Sequence, residues 1–422
     1  MDKKVALGLV LFSLILAPLI YLANPHFLYI RDQYYEIIPH PPKAPATLFK
    51  KVDSSCESNT QFRVNAERVG YQKDAKPRAA VEIKKHIFPL NVGIHSASKS
   101  SPVADDSGIY VGSDTGWFWK MDFDGNKVWE FYIPGSGNGI HGSPAVDDKK
   151  VFIGAYNGFL YALDKMSGEL LWANPVADFI GASPLVADGG VFISGETAHP
   201  DGLVARLDCN TGQTQWVSKW LGGHSHSSPA FHKETGSILV GANSGRLFSF
   251  DVKDGSTHWQ KQFRGQIKGT PTILGKRMYF GSWDKNYHAV DIATGDVLWS
   301  TFLGGRTQTS LTLVPGHNIG ITNTRRGDIA GLNLENGEFL WRLHHGDSNH
   351  QFSVLVTASK DDPRQWLAFS RCKSYQLCVL DAVTGKLLHN INLPGGFTSV
   401  PYAHGERVYI SLIDNHGLVI LE

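Results

Sequence analysis

The sequence predicts an all-β protein, an eight-bladed β-propeller of four-stranded antiparallel blades preceded by an N-terminal transmembrane helix. Three observations carry the propeller. A step built on Ser-Pro returns from Pro102 to Val400 at intervals of 42, 40, 45, 42, 40, 43 and 46 residues. Each unit holds four short apolar runs divided by turn residues, which is the pattern of a propeller blade. The eighth unit stops at residue 422 after three runs, and a spare run, residues 80–91, stands directly ahead of the first unit.

The fullest unit is SPAVDDKKVFIGAYNGFLYALDKMSGELLW, Ser143 to Trp172. VFIGAY and FLYALD are β-branched and aromatic runs divided by Asn157-Gly158, a strong hairpin signal, and KMSG turns the chain into ELLW. The four runs are strands A to D. Proline lacks the N–H that a sheet ladder needs, so a Ser-Pro at the start of A marks that strand as an edge, and the inner edge of a blade faces the central channel. The run AVEIKKHIFPLN, 80–91, is expected to supply the missing D strand of the last blade and close the ring. Closure removes the open sheet edges that would otherwise aggregate.

Ahead of the propeller, Val5–Leu22 is an uncharged stretch of 18 residues, long enough to cross a bilayer as a helix. A cleaved leader would need small residues at its cut, but cleavage after Ala23 puts Tyr21 at the −3 place, and cleavage after Ala17 leaves Pro18 next. Residues 1–23 are therefore read as an uncleaved signal anchor in preference to a cleaved peptide. Lys3 and Lys4 keep its start cytoplasmic and send the rest across the membrane. No cysteine lies in or just after this stretch, so a lipid anchor is not supported. Asn-x-Ser/Thr acceptor sites are absent from the sequence, which suits a bacterial periplasm. Residues 24–79, with HPPKAP at 40–45 and DSSCESN at 53–59, read as a stalk or arm, and 80–422 as the propeller. Lys plus Arg (40) balances Asp plus Glu (39), so nucleic-acid binding is not expected.

The endings ALDKMSGELLW (162–172), RLDCNTGQTQW (206–216) and AVDIATGDVLW (289–299) resemble the tryptophan-docking motif of the PQQ-type propeller superfamily over about residues 80–422. The resemblance implies that Trp129, Trp172, Trp216, Trp259, Trp299 and Trp341 each tie one blade to the next, with His389 departing from the pattern in the seventh blade. Two kinds of protein share this repeat. Quinoprotein alcohol dehydrogenases hold pyrroloquinoline quinone (PQQ) and calcium over the channel, with a catalytic aspartate and, in many, a disulfide of adjacent cysteines. BamB-like proteins are eight-bladed periplasmic scaffolds of outer-membrane assembly and hold no cofactor. This chain has no adjacent Cys-Cys pair and no CxxCH, and its blades are too uniform for the insertions that build the dehydrogenase site. Organisation is thus closest to the scaffolds, although those are lipoproteins.

Two residues before each Ser or Thr of the strand-A step stand Lys99, His141, Gly181, His226, Lys268, Gln308, Gln351 and Phe397. The D–A connections deliver all eight to one end of the channel, with His224, Arg306 and His350 close by. The B–C hairpins open on the same face and add Asp114, Tyr156, His199, Trp283, Asp284, Arg325, Arg326, Arg371 and His416. None of the eight ring positions is acidic. The expectation is a basic channel mouth that receives an anionic or polyhydroxylated ligand or a partner's carboxylate, its binding residues Lys99, His141, His226, Lys268, Arg306, Gln308, His350 and Gln351. The plainer account is that channel mouths are wet and tolerate polar residues of any kind. His141, His224, His226 and His350 could converge on a metal, but no two of them share a metal-binding spacing, and no metal site is assigned. Asp164, Asp208, Asp251, Asp291 and Asp381 recur once per blade and read as turn caps. Cys372 and Cys378 are candidates for a bridge across a five-residue hairpin loop, a shorter loop putting them out of register. No cofactor is expected, with PQQ or a divalent metal left open. The function expected is a membrane-anchored periplasmic binding or assembly scaffold with a protein or saccharide partner. The rival is an enzyme on the same fold, a divergent PQQ-dependent oxidoreductase or a polysaccharide hydrolase or lyase.

Overall fold

Eight antiparallel sheets carry the chain in a computed structural model that describes residues 45–58, 60–87, 100–133, 139–198, 201–345, 352–373, 375–413 and 417–422. The expected transmembrane helix falls outside the described residues, among which no helix is long and apolar enough to cross a membrane. Each blade runs A, B, C, D from the channel outward. In blade 2 the strands are Ala145–Val146, Lys150–Gly154, Phe159–Asp164 and Leu170–Pro175. Strands B and C are buried on both faces because blades stack against each other, so they read as continuous apolar runs. The outer D strands alternate, as in Thr257–Gln262, where every second residue is exposed.

Two sets of contacts join neighbouring blades, one at the rim and one at the channel. At the rim the Trp129 indole N–H donates to Lys165 O of the next blade (3.1 Å). Trp172, Trp216, Trp259 and Trp299 repeat this bond to Cys209, Val252, Ile292 and Leu334 at 2.8–3.1 Å. Each indole lies flat on the glycine of the neighbour's C–D turn. That glycine has φ near +75° and no room for a side chain: a Cβ on Gly212 would stand 2.5 Å from the Trp172 ring. The turn itself is held by its aspartate, Asp164 accepting from the N–H groups of Met166 and Ser167. Trp341 covers Gly385 in the same way. In blade 7, His389 Nε2 takes the tryptophan's place and lies 3.2 Å from Val81 O, so the departing residue keeps the bond.

At the channel the serine of the Ser-Pro step has a role that its proline alone does not reveal. The N–H groups of Ser101, Ser143, Ser183, Ser228 and Ser310 donate to the hydroxyls of Ser143, Ser183, Ser228, Thr270 and Ser353 in the next blade, at 2.9–3.1 Å. Val400 N–H donates to Ser101 Oγ and joins blade 8 to blade 1 in a similar way. Edge strands so close to the axis have unpaired N–H groups, and a short hydroxyl from the neighbour satisfies them.

Ile83–Ile87 is the D strand of blade 8. It pairs antiparallel with Leu418–Leu421, and Lys84 and Arg407 both reach the carboxylate of Glu422.

The segment read as a stalk lies, over its described residues, against the propeller. Thr47–Leu48 adds to the outer strand of blade 2, and Cys56 is bridged to Cys209 in blade 3. The chain then crosses the inner strands of blades 2 to 8 in order. Val146 N donates to Thr60 O, Val186 N to the Gln61 side chain, Phe231 N to Ala66 O, Ile273 N to Glu67 O and Leu313 N to Val69 O. Tyr71–Gln72 pairs in parallel with Leu355–Ala358, and the Gln72 side chain accepts from Ala403 N. Arg68 is fully buried here, its guanidinium donating to Phe62 O, Pro184 O and Pro229 O at 2.6–3.1 Å. The inner strands are edges with N–H groups to spare, and the arm's oxygens accept from them, while Arg68 donates to the carbonyls beside them.

Cys372 and Cys378 are bridged, with Cα atoms 5.8 Å apart. Their strands, Trp366–Lys373 and Gln376–Asp381, leave a loop shorter than five residues and the cysteines out of register, Cys378 pairing with Ser370; Cys372, the extra residue of a β-bulge between Arg371 and Lys373, reaches Cys378 diagonally across the hairpin.

Candidate functional site at the channel mouth

The D–A connections and B–C hairpins surround a cavity of about 320 Å³ at one end of the channel, and Phe62 of the arm is among its walls. Five ring positions line it: His141, Gly181, His226, Lys268 and Gln308. Phe397 does not belong to the ring, being buried against Phe352 with centroids 5.4 Å apart. Arg371 also turns inward, where Nη1 donates to Phe397 O at 3.0 Å and the guanidinium stacks on Phe352. Lys99, His199, His350, Gln351 and His416 lie outside the described residues.

The mouth has two unlike sides. On the side of blades 5 and 6, three cations gather on one indole: Lys268 Nζ stands 4.3 Å, Arg306 4.8 Å and Arg325 5.9 Å from the Trp283 ring. The negative face of the ring offsets part of their mutual repulsion, and an anion would offset more. Asp284, the carboxylate next along the same hairpin, is occupied by His288 Nε2 at 3.0 Å; burial opposes its ionisation, but that histidine and the Asn286 N–H keep its carboxyl below the ordinary range.

On the side of blades 1 to 4, histidines meet carboxylates. His141 Nε2 lies 3.4 Å from the buried Asp114, and its ring packs 4.1 Å from that of Tyr156. Burial first, then the charges of Glu196 and Asp114, push the Tyr156 phenol up to about 12. Glu196 is buried, with His224 Nδ1 at 3.2 Å and His226 Nδ1 at 3.1 Å from its two oxygens. Among the described residues, the lysine and arginines gather on the side of blades 5 and 6 and the histidine–carboxylate pairs on the side of blades 1 to 4.

Glu196 escapes the ring reading because it is not on the D–A connection. It follows the last glycine of strand B, a place filled by Ser113, Ala155, Ala242 and Ser282 in blades 1, 2, 4 and 5. One large acid among small residues at an aligned position is the signal that finds it.

The eight four-stranded blades with their docking indoles define a propeller of the quinoprotein-like class. A solved quinohemoprotein alcohol dehydrogenase from Comamonas testosteroni superposes with a TM-score of 0.70 at 13% identity, over 86% of this chain and 80% of the other. Within that class, the family model described as outer membrane protein assembly factor BamB matches residues 119–235, 200–366 and 325–421, and the chain belongs to this family. BamB of Moraxella catarrhalis superposes with a TM-score of 0.64 at 20% identity, over 81% of this chain and 97% of the other. BamB of Shewanella oneidensis is 23% identical over 272 residues, 60% of this chain. The chain spans 39% and 63% of the length of two curated relatives it matches.

The disulfide of adjacent cysteines that many of the dehydrogenases carry has no counterpart in the two bridges here, Cys56–Cys209 and Cys372–Cys378. Of the two aspartates at the mouth, Asp114 stands against His141 and Asp284 against His288.

Proposed function

We propose that this chain is an assembly scaffold that holds a partner protein at its channel mouth, with the cationic side receiving an anionic or polyhydroxylated group of that partner. The observation that carries the reading is the gathering of Lys268, Arg306 and Arg325 on Trp283, a concentration of positive charge that suits an incoming anion. Membership of the assembly-factor family supports the scaffold role. Four cysteines paired in two bridges favour an oxidising compartment such as the periplasm, and Val5–Leu22 favours attachment to a membrane. A cofactor is not part of the proposal.

The test is affinity capture from solubilised membranes with the full chain and with a Lys268→Ala, Arg306→Ala, Arg325→Ala variant. One stoichiometric protein partner is expected with the parent chain and at least tenfold less with the variant. A quinone absorbance in the purified protein, or turnover of a sugar polymer without any partner, sinks the scaffold reading in favour of the enzyme.

A further inference from the structure

We propose that Glu196, His224 and His226 form a zinc-type divalent metal site with one coordination position open to the channel cavity. The reading rests on the acidic side of the mouth and is independent of partner capture at the cationic side. Glu196 ends strand B of blade 3, Gly190–Glu196, and the two histidines come from the connection that leads into blade 4. At two residues apart in a non-helical chain, both rings reach the same carboxylate.

Distances suit a shared ion. The Nδ1 atoms stand 3.2 and 3.1 Å from the carboxylate oxygens, and one ligand atom from each residue lies within 4.8 Å of the others. Tetrahedral zinc with bonds of 2.0–2.1 Å holds its ligand atoms about 3.3 Å apart. Two imidazoles and one carboxylate suit zinc or a neighbouring transition metal better than magnesium or calcium, which take oxygen ligands.

Two further observations point to a cation. His224 Nε2 lies 3.1 Å from Thr197 O, and a carbonyl only accepts, so this nitrogen carries the ring proton. In the neutral ring Nδ1 is then a bare lone pair facing a carboxylate oxygen at 3.2 Å, an arrangement that repels unless positive charge lies between them. The carbonyl that fixes this tautomer is the kind of outer partner that metal-bound histidines have. Glu196 Oε1 is buried and makes no hydrogen bond although His226 Nδ1 is 3.1 Å away. Close approach without hydrogen-bond alignment is what ligand atoms around a common ion show. Gly181 keeps the site open: a Cβ there would stand 3.3 Å from Glu196 Oε1, and Gly181, Tyr156 and His226 all line the cavity.

The experiment uses tag-free full-length protein in detergent, stripped with a chelator and titrated with zinc chloride by calorimetry. One equivalent of zinc is expected, with affinity lowered at least a hundredfold by Glu196→Gln and by His224→Ala. His258→Ala, on an outer strand, should leave binding unchanged. Should Glu196→Gln fail to fold, His226→Gln, at a half-exposed position, replaces it. Zinc should also raise the melting temperature of the parent chain but not of His226→Gln. The proposal is overturned if the parent chain binds no stoichiometric zinc, or if a folded Glu196→Gln or His226→Gln chain binds it equally well, in which case the cluster is a protonated histidine pair on a carboxylate.

Discussion

Arginines stand at both levels of the channel and are treated in opposite ways. Beneath the cavity, Arg63 and Arg68 of the arm are buried, and strand and loop carbonyls accept from them. Burial lowers the Arg63 guanidinium to about 10, and burial together with the charge of Arg63 lowers that of Arg68 to about 9. At the mouth, Arg306 is exposed and Arg325 half-buried, and both crowd one indole beside Lys268. What separates the two sets is where they stand: the arm's arginines are enclosed among carbonyl acceptors, whereas the mouth's cations share one indole face at the cavity. The arm's arginines should therefore carry stability, and the mouth's should carry binding at some expense of stability.

The largest effect is expected from the bridge that pins the arm. Replacing Cys56 and Cys209 by Ser together reopens a loop closed across 153 residues and should cost about 4–5 kcal/mol in denaturant unfolding. The same change at Cys372 and Cys378, six residues apart, should cost about 3 kcal/mol less, because closure entropy grows with the logarithm of loop length. Equal losses would show that the arm is not held by this bridge. Next comes Arg68→Met, which strands three carbonyl acceptors, two of them buried, and should cost about 3 kcal/mol by the same measurement. The opposite sign is expected at the mouth, where the triple alanine variant of Lys268, Arg306 and Arg325 should leave stability unchanged or raise it by up to about 1 kcal/mol. A large destabilisation there would erase the distinction between the two levels.

The smallest effect concerns His404, on the arm's side of blade 8, stacked on Phe123 with centroids 4.3 Å apart. Burial lowers its pKa, opposed by the charges of Asp106 and Asp105. The unfolded chain then binds this proton more readily than the folded one. Stability from this group is full above the free histidine value of about 6.5 and is lost as pH falls through it toward the lower folded value. Stability of His404→Phe, followed by thermal melts between pH 7 and 5, should fall less steeply than that of the parent; identical slopes would remove His404 as a cause.

Much of the ring was legible because a repeat averages over accidents. Eight copies of one step reveal which residues the blade needs: the apolar B and C runs, the turn glycine and the docking indole. The same averaging hides whatever occurs once. Glu196 is invisible in a consensus that holds small residues at its place, and Arg63 and Arg68 sit in a stretch whose polarity reads as solvent-exposed. Their burial is intelligible only when the carbonyls of several blades are brought around them. Cys56 and Cys209 illustrate the same limit, since spacing along the chain carries no information about a pairing made through the assembled ring. The Cys372 bridge shows a subtler one, since it is made across a hairpin in which Cys378 is paired with Ser370, so being out of register does not forbid it.

The closing strand has a consequence for the order of events during synthesis. Lys84 leaves the ribosome 338 residues ahead of Glu422, the residue it pairs with. Until then Ile83–Ile87 has no strand beside it. The arm just ahead of it meets inner strands in the order in which they are made, blade 2 first and blade 8 last. Its contacts accumulate blade by blade as the chain emerges, so each new blade docks onto a guide already in place. Only the final latch must wait for the last four residues of the last strand.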